Sequence, residues 1–129
     1  MGLVALMSNF VIVHTVPAEP IVHRTENNNF SVRLVGLDRP ARVNRLYSVD
    51  MFLKTADGKP AAGASFVVTG QHRYAFNPLP TSPRVVPGAQ DGAYRLEGLR
   101  FHIAGQWRLT IIIDSERIHD RYLLGIQAK

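Results

Sequence analysis

Trp107, Leu109, Ile111 and Ile113 fall on one side of an alternating run, and Arg108, Thr110 and Asp114 on the other. A period of two places successive side chains on opposite faces of a strand, so this run is a strand with one face in a core. It belongs to the longer stretch Asp91 to Asp114, DGAYRLEGLRFHIAGQWRLTIIID. That stretch reads as one strand, a link, and a hairpin turn at Ala104-Gly105 into a long second strand. Trp107 continues the apolar face and is expected to anchor the core.

The same alternation recurs along the chain. Phe30 to Leu34 forms one run, and Tyr47, Val49, Met51 and Leu53 face away from Ser48, Asp50 and Lys54 in another. Asp57-Gly58 follows, and Asp-Gly between two alternating runs predicts a hairpin, because glycine accepts the positive φ of a tight turn. The next strand carries Ala64, Phe66 and Val68 on one face. A last strand, Ile118 to Gln127, places Tyr122, Leu124 and Ile126 together. No segment has a helical period, no repeat is visible and no linker divides the chain. Seven or eight short strands with frequent turn signals predict an all-β antiparallel sandwich or barrel.

Residues 71–90 interrupt the pattern. Pro78, Pro80, Pro83 and Pro87 are unsuited to a central strand, so this segment is expected to be a long excursion. Tyr74 and Phe76 lie in it, where no alternation demands burial. They either cover the open end of the sandwich or form a contact patch for a partner. The expected partner-binding residues are His72, Tyr74, Phe76, Asn77 and Arg84.

With 129 residues the chain can bury a core without disulfides or a structural metal, and it has no cysteine. Thiolate metal sites and cysteine nucleophiles are therefore excluded. No serine lies in a Gly-x-Ser-x-Gly elbow, no glycine loop suits phosphate, and Glu26, Asp50, Glu97 and Asp114 are isolated carboxylates. These absences argue for a protein that is not an enzyme. The net charge of +5 is carried mainly by scattered arginines. Only Arg39, Arg42 and Arg45 cluster, which reads as a basic loop; no nucleic-acid motif accompanies them.

The N-terminal run Met1 to Val16 is apolar but interrupted by Ser8 and Asn9. It is too short to span a bilayer, which takes roughly 20 residues, and it lacks the positive start of a secretory signal. Cleavage after Ala18 has tolerable spacing. Phe10, Ile12, His14 and Val16 alternate as a first strand would. A first strand or the remnant of a membrane-proximal anchor is preferred to an intact signal, so residues 1–27 are set apart from a sandwich domain at 28–129.

The elements ADGKPAAGASFVVTG, LPTSPRV and DGAYRLEGLRFHIAGQWRLTIIID resemble YtkA-like domains and, more distantly, FixH-like proteins. The resemblance covers residues 28–127 and is most specific at Leu79 to Val85 and Leu99 to Leu109. It implies an immunoglobulin-like β-sandwich of seven to eight strands in the periplasm or cell envelope of a bacterium. The implied role is a binding or accessory module whose partner is an envelope protein or membrane-complex subunit. Many YtkA-like sequences carry a His-Gly-His-Gly run before the LPTxPRV element. Here Ala75-Phe76-Asn77-Pro78 stands in that place, so metal binding does not carry over there. No cofactor is expected. The alternative is a copper or zinc accessory role of the FixH type, with His72 and His102 as candidate ligands in a site assembled in space, for instance with sulfur from Met51 or Met7. The remaining histidines, His14, His23 and His119, have no ligand spacing.

Overall fold

The computed structural model describes residues 19–129. The readings placed on Met1 to Ala18, Met7 and His14 among them, lie outside the described residues. Eight strands follow in order: β1 (Ile21–Arg24), β2 (Phe30–Val35), β3 (Tyr47–Thr55), β4 (Ser65–His72), β5 (Arg84–Pro87), β6 (Ala93–Leu99), β7 (Gly105–Ser115) and β8 (Ile118–Ala128). They form a five-stranded sheet, β1-β2-β3-β6-β5, and a three-stranded sheet, β4-β7-β8. Every pairing between strands is antiparallel. The expected all-β sandwich is the fold. Among the described residues no helix is long and apolar enough to cross a membrane.

The alternating apolar residues meet between the sheets. Tyr47, Val49, Met51 and Leu53 of β3 face Trp107, Leu109, Ile111 and Ile113 of β7 and Tyr122, Leu124 and Ile126 of β8, all buried. Each such side chain withdrawn from water stabilises the fold by about 1.5–3 kcal/mol. The Trp107 indole donates its Nε1 proton to the Ile103 carbonyl at 2.8 Å, so the core anchor leaves no polar atom unpaired.

Two connections differ from the sequence reading. The Asp57-Gly58 turn closes as expected: Gly58 has φ +83°, and the Thr55 N–H donates to the Lys59 carbonyl at 2.8 Å. However, the chain returns beside β3 only as far as Ala61, whose N–H donates to the Leu53 carbonyl at 2.9 Å. Both edges of β3 are already taken by β2 and β6, so β4 cannot pair there. It crosses instead to the other sheet and pairs with β7. Likewise β6 and β7 are not a hairpin. The link Arg100 to Ala104 carries the chain from one sheet to the other, and Phe101, fully buried, closes the end of the core against Trp107 at 5.5 Å.

The expected excursion over 71–90 is also more ordered than its prolines suggested. Gln71 and His72 end β4, and Arg84 to Pro87 form β5. As an edge strand paired only with β6, β5 tolerates a terminal proline, whose missing N–H breaks no interior bond. At the other edge, β1 lies ahead of residue 28 and is hydrogen-bonded to β2, so the sandwich begins before the expected boundary.

A buried carboxylate ties the two sheets together. Asp120 of β8 is 1% exposed. It accepts the Thr25 hydroxyl at 2.6 Å and the N–H groups of Arg121, Asn27 and Asn29 at 2.7, 3.1 and 3.2 Å. Burial pushes its carboxyl upward, but these four donors together outweigh that and hold it below the usual carboxylate value.

Candidate functional site

β4 ends at His72, and the chain reverses at once through Arg73 to Pro78. The His72 N–H donates to the Asn77 carbonyl at 2.8 Å, and the Phe76 N–H donates to the His72 carbonyl at 3.1 Å. The Arg73 N–H reaches the Gln106 carbonyl at 2.8 Å, which prolongs the β4–β7 ladder past the strand end. Phe76 takes φ +55°, a left-handed conformation uncommon for an aromatic residue.

His72 organises this turn from inside. It is buried, and its Nδ1 accepts the N–H groups of Tyr74 and Ala75 at 3.2 and 2.9 Å. Its Nε2 lies 3.0 Å from the Ala104 carbonyl. Two backbone donors on one nitrogen and a carbonyl on the other require the neutral tautomer with the proton on Nε2. The ring meets the Trp107 indole edge-on at 5.3 Å. Gly105 leaves the space for it: a Cβ there would lie 2.5 Å from His72 Nε2, and its φ of +126° suits glycine besides. Leu79 secures the far side of the turn by packing onto Gly70, where a Cβ would meet the leucine at 2.7 Å.

The turn therefore presents its outer side chains on a fixed frame. Tyr74 is 71% and Phe76 73% exposed, and the Arg73 guanidinium sits 5.6 Å from the Tyr74 ring centre. Beside the turn, the outer face of β4 and β7 is concave. Thr69, Gln71, Arg73, Phe76, Arg108 and Thr110 line a groove of about 490 Å³. Its polar members are brought together by register, Gln71 opposite Arg108 and Thr69 opposite Thr110.

Of the expected partner-binding residues, the fold brings His72, Tyr74, Phe76 and Asn77 into one turn. Arg84 lies apart on β5, with its Nε 3.9 Å from a Glu97 carboxylate oxygen. His72 itself is buried at the end of β4 with both ring nitrogens engaged, rather than in the loop where the sequence reading sets it. The same engagement leaves it no lone pair for a metal. His102 also packs against Trp107, with ring centres 5.7 Å apart, and its buried Nδ1 has no hydrogen-bond partner among the described residues. Met51 is fully buried on the core face of β3. His23 pairs with the Tyr122 hydroxyl at 2.9 Å, and His119 with Asp114. Among the described residues no three histidine, aspartate or glutamate side chains cluster as a metal site. The loop that carries the basic cluster is tied down at its backbone, while the Arg39 and Arg42 side chains stay exposed. Arg45 pairs with Asp38 at 3.1 Å and stacks on Tyr47, while Ala41 bridges to Ala128.

The groove was not foreseen. Arg108 read as an ordinary solvent-facing residue, and only the pairing of β4 with β7 sets it beside Gln71 and Thr69. Nothing local in the sequence signals that neighbour, because the strands are separated by the whole of β5 and β6.

No family model matches the chain, and no curated protein does. Among solved structures, the filamin domain of Lin-41 matches with a TM-score of 0.53 and 14% identity, covering 76% of this chain and 91% of that one. The fold is immunoglobulin-like. At this identity the likeness extends to the fold and no further.

Proposed function

We propose that this chain is a non-enzymatic binding or accessory module of the bacterial envelope that contacts a partner protein through the turn from His72 to Asn77. The observation that carries this is the pair of exposed rings, Tyr74 and Phe76, on a turn held from within by His72. Aromatic side chains are enriched at the centres of protein interfaces. A turn already fixed before binding loses little conformational freedom on docking, which favours affinity. The adjoining groove supports binding over catalysis: its one histidine is fully engaged, and no carboxylate lines it.

The envelope location and the kind of partner, an envelope protein or membrane-complex subunit, rest on the resemblance to YtkA-like domains. Copper or zinc delivery would need ligands other than His72.

The test is site-specific photocrosslinking in the native cell. A photoreactive residue in place of Tyr74 or Phe76 is expected to capture one partner protein. The same residue in place of Leu46, 66% exposed elsewhere on the surface, serves as the control. Absence of an adduct at positions 74 and 76, or equal capture at position 46, would refute the proposal.

A further inference from the structure

Arg73 and Arg108 form a pair that the fold builds and then leaves without a counter-charge. Gln71 lies opposite Arg108, and the Arg73 N–H bonds to Gln106, so the two arginines stand diagonally across the β4–β7 pair on its outer side. Diagonal positions on neighbouring strands lie roughly 7–8 Å apart. Both side chains line the groove. Among the described residues neither makes an ion pair, and what sets them apart from the other unpaired arginines is that both line one groove. The acidic residue further along β7, Asp114, is held by His119 and stands six residues from Arg108, roughly 20 Å away. Between and beside the arginines lie Thr69, Gln71 and Thr110, which offer hydrogen bonds, and the Phe76 ring, which offers an apolar wall.

We propose that this groove binds an extended acidic segment of a partner protein. Alternate residues of an extended chain project to one side at roughly 6.8 Å intervals, so carboxylates at positions i and i+2 match the spacing of Arg73 and Arg108. Guanidinium forks hold carboxylates through paired hydrogen bonds. An apolar residue next to the carboxylates lies against Phe76. The net charge of +5 favours the encounter over longer range. This proposal rests on the reading of the His72 to Asn77 turn as a partner contact, and it assigns the chemistry of that partner.

The probe is a short fluorescein-labelled peptide of alternating glutamate and threonine around one central leucine, followed by fluorescence anisotropy at low salt. Saturable binding is expected, with Arg73→Gln and Arg108→Gln each weakening it about tenfold and the double variant abolishing it. Arg33→Gln, on the outer face of the other sheet, is expected to change it less than about twofold. Both groove arginines are exposed, and unchanged melting temperatures confirm that the variants fold. Three results of this binding assay would overturn the proposal: no saturation below about 1 mM, an equal loss in Arg33→Gln, or tighter binding of polygalacturonate oligomers with the same variant sensitivity. The last would assign the groove to an acidic polysaccharide. Photocrosslinks at positions 74 and 76 that persist in the double variant would overturn the acidic-segment assignment while leaving the turn as a partner contact.

Discussion

Replacing Asp120 with alanine tests the strongest polar element of the fold. The carboxylate is buried and accepts one hydroxyl and three N–H donors. A hydrogen bond to a charged group contributes about 1.5–3 kcal/mol, so the gross interaction is large. Two effects reduce the net value. The alanine variant no longer has to bury a charge, and water reaches the partly buried N–H groups of Asn27, Asn29 and Arg121. A net loss of about 3–4 kcal/mol is expected, the range for breaking one side of a buried charged network. For a domain of this size that lowers the melting temperature by roughly 10–15 °C. Asp120→Asn keeps the shape but sets its amide against the N–H of Asn29, and should cost about half as much.

The pH dependence has a definite sign. The folded carboxyl lies below its unfolded value, so the unfolded state binds the proton first on acidification. The stabilisation is fully present above the unfolded value, about 4, and is lost as pH falls through the folded one. Urea unfolding of wild type and both variants at pH 7 and at a series of values below 4 measures it. A loss under about 1 kcal/mol at pH 7, or a difference between wild type and Asp120→Ala that does not shrink in acid, would refute the reasoning.

Three further outcomes are expected. Burial raises the Tyr122 hydroxyl to about 12, with Arg39 opposing it slightly, so the folded state resists its ionisation. Stability should therefore fall as pH rises from about 10 to about 12, and Tyr122→Phe should flatten that decline in chemical denaturation curves; an unchanged slope would contradict this. Gly105→Ala places a methyl group against the His72 ring and forces a residue with a side chain to φ +126°. It should destabilise by about 2 kcal/mol and lower crosslinking at positions 74 and 76, whereas wild-type crosslinking would show that His72 does not hold the turn. Gly70→Ala crowds Leu79 and Leu109; it should cost about 1–3 kcal/mol and be partly rescued by Leu79→Ala in a double-mutant cycle of thermal unfolding, where strict additivity would refute the contact.

Much of the fold could be read from one dimension. The faces of β3, β7 and β8 were legible residue by residue, since burial of one face imposes a period of two on the chain. Trp107 was recognisable as core for the same reason. Tyr74 and Phe76 were recognisable as candidates because they stood where no period required them. His72 was misplaced: the prolines that follow it suggested loop, and its burial depends on Gly105, 33 residues later and on another strand. Asp120 carried no signal of its own, because three of its four donors come from the turn between β1 and β2.

The sequence by itself determined which residues of β3, β7 and β8 face the core, because a half-buried strand imposes local alternation; the bounds of β1, β4 and β5 were settled by the structure. Only the tertiary structure decided which strands pair. Asp57-Gly58 and Ala104-Gly105 both looked like hairpin turns, yet both connections cross between sheets. The occupied edges of β3 exclude β4 from one sheet, and the buried Phe101 draws the second link across the end of the core. Strand pairing is a competition among distant segments for backbone partners and shared burial, and no local window records its outcome. The groove between Arg73 and Arg108 exists only because that competition placed β4 beside β7.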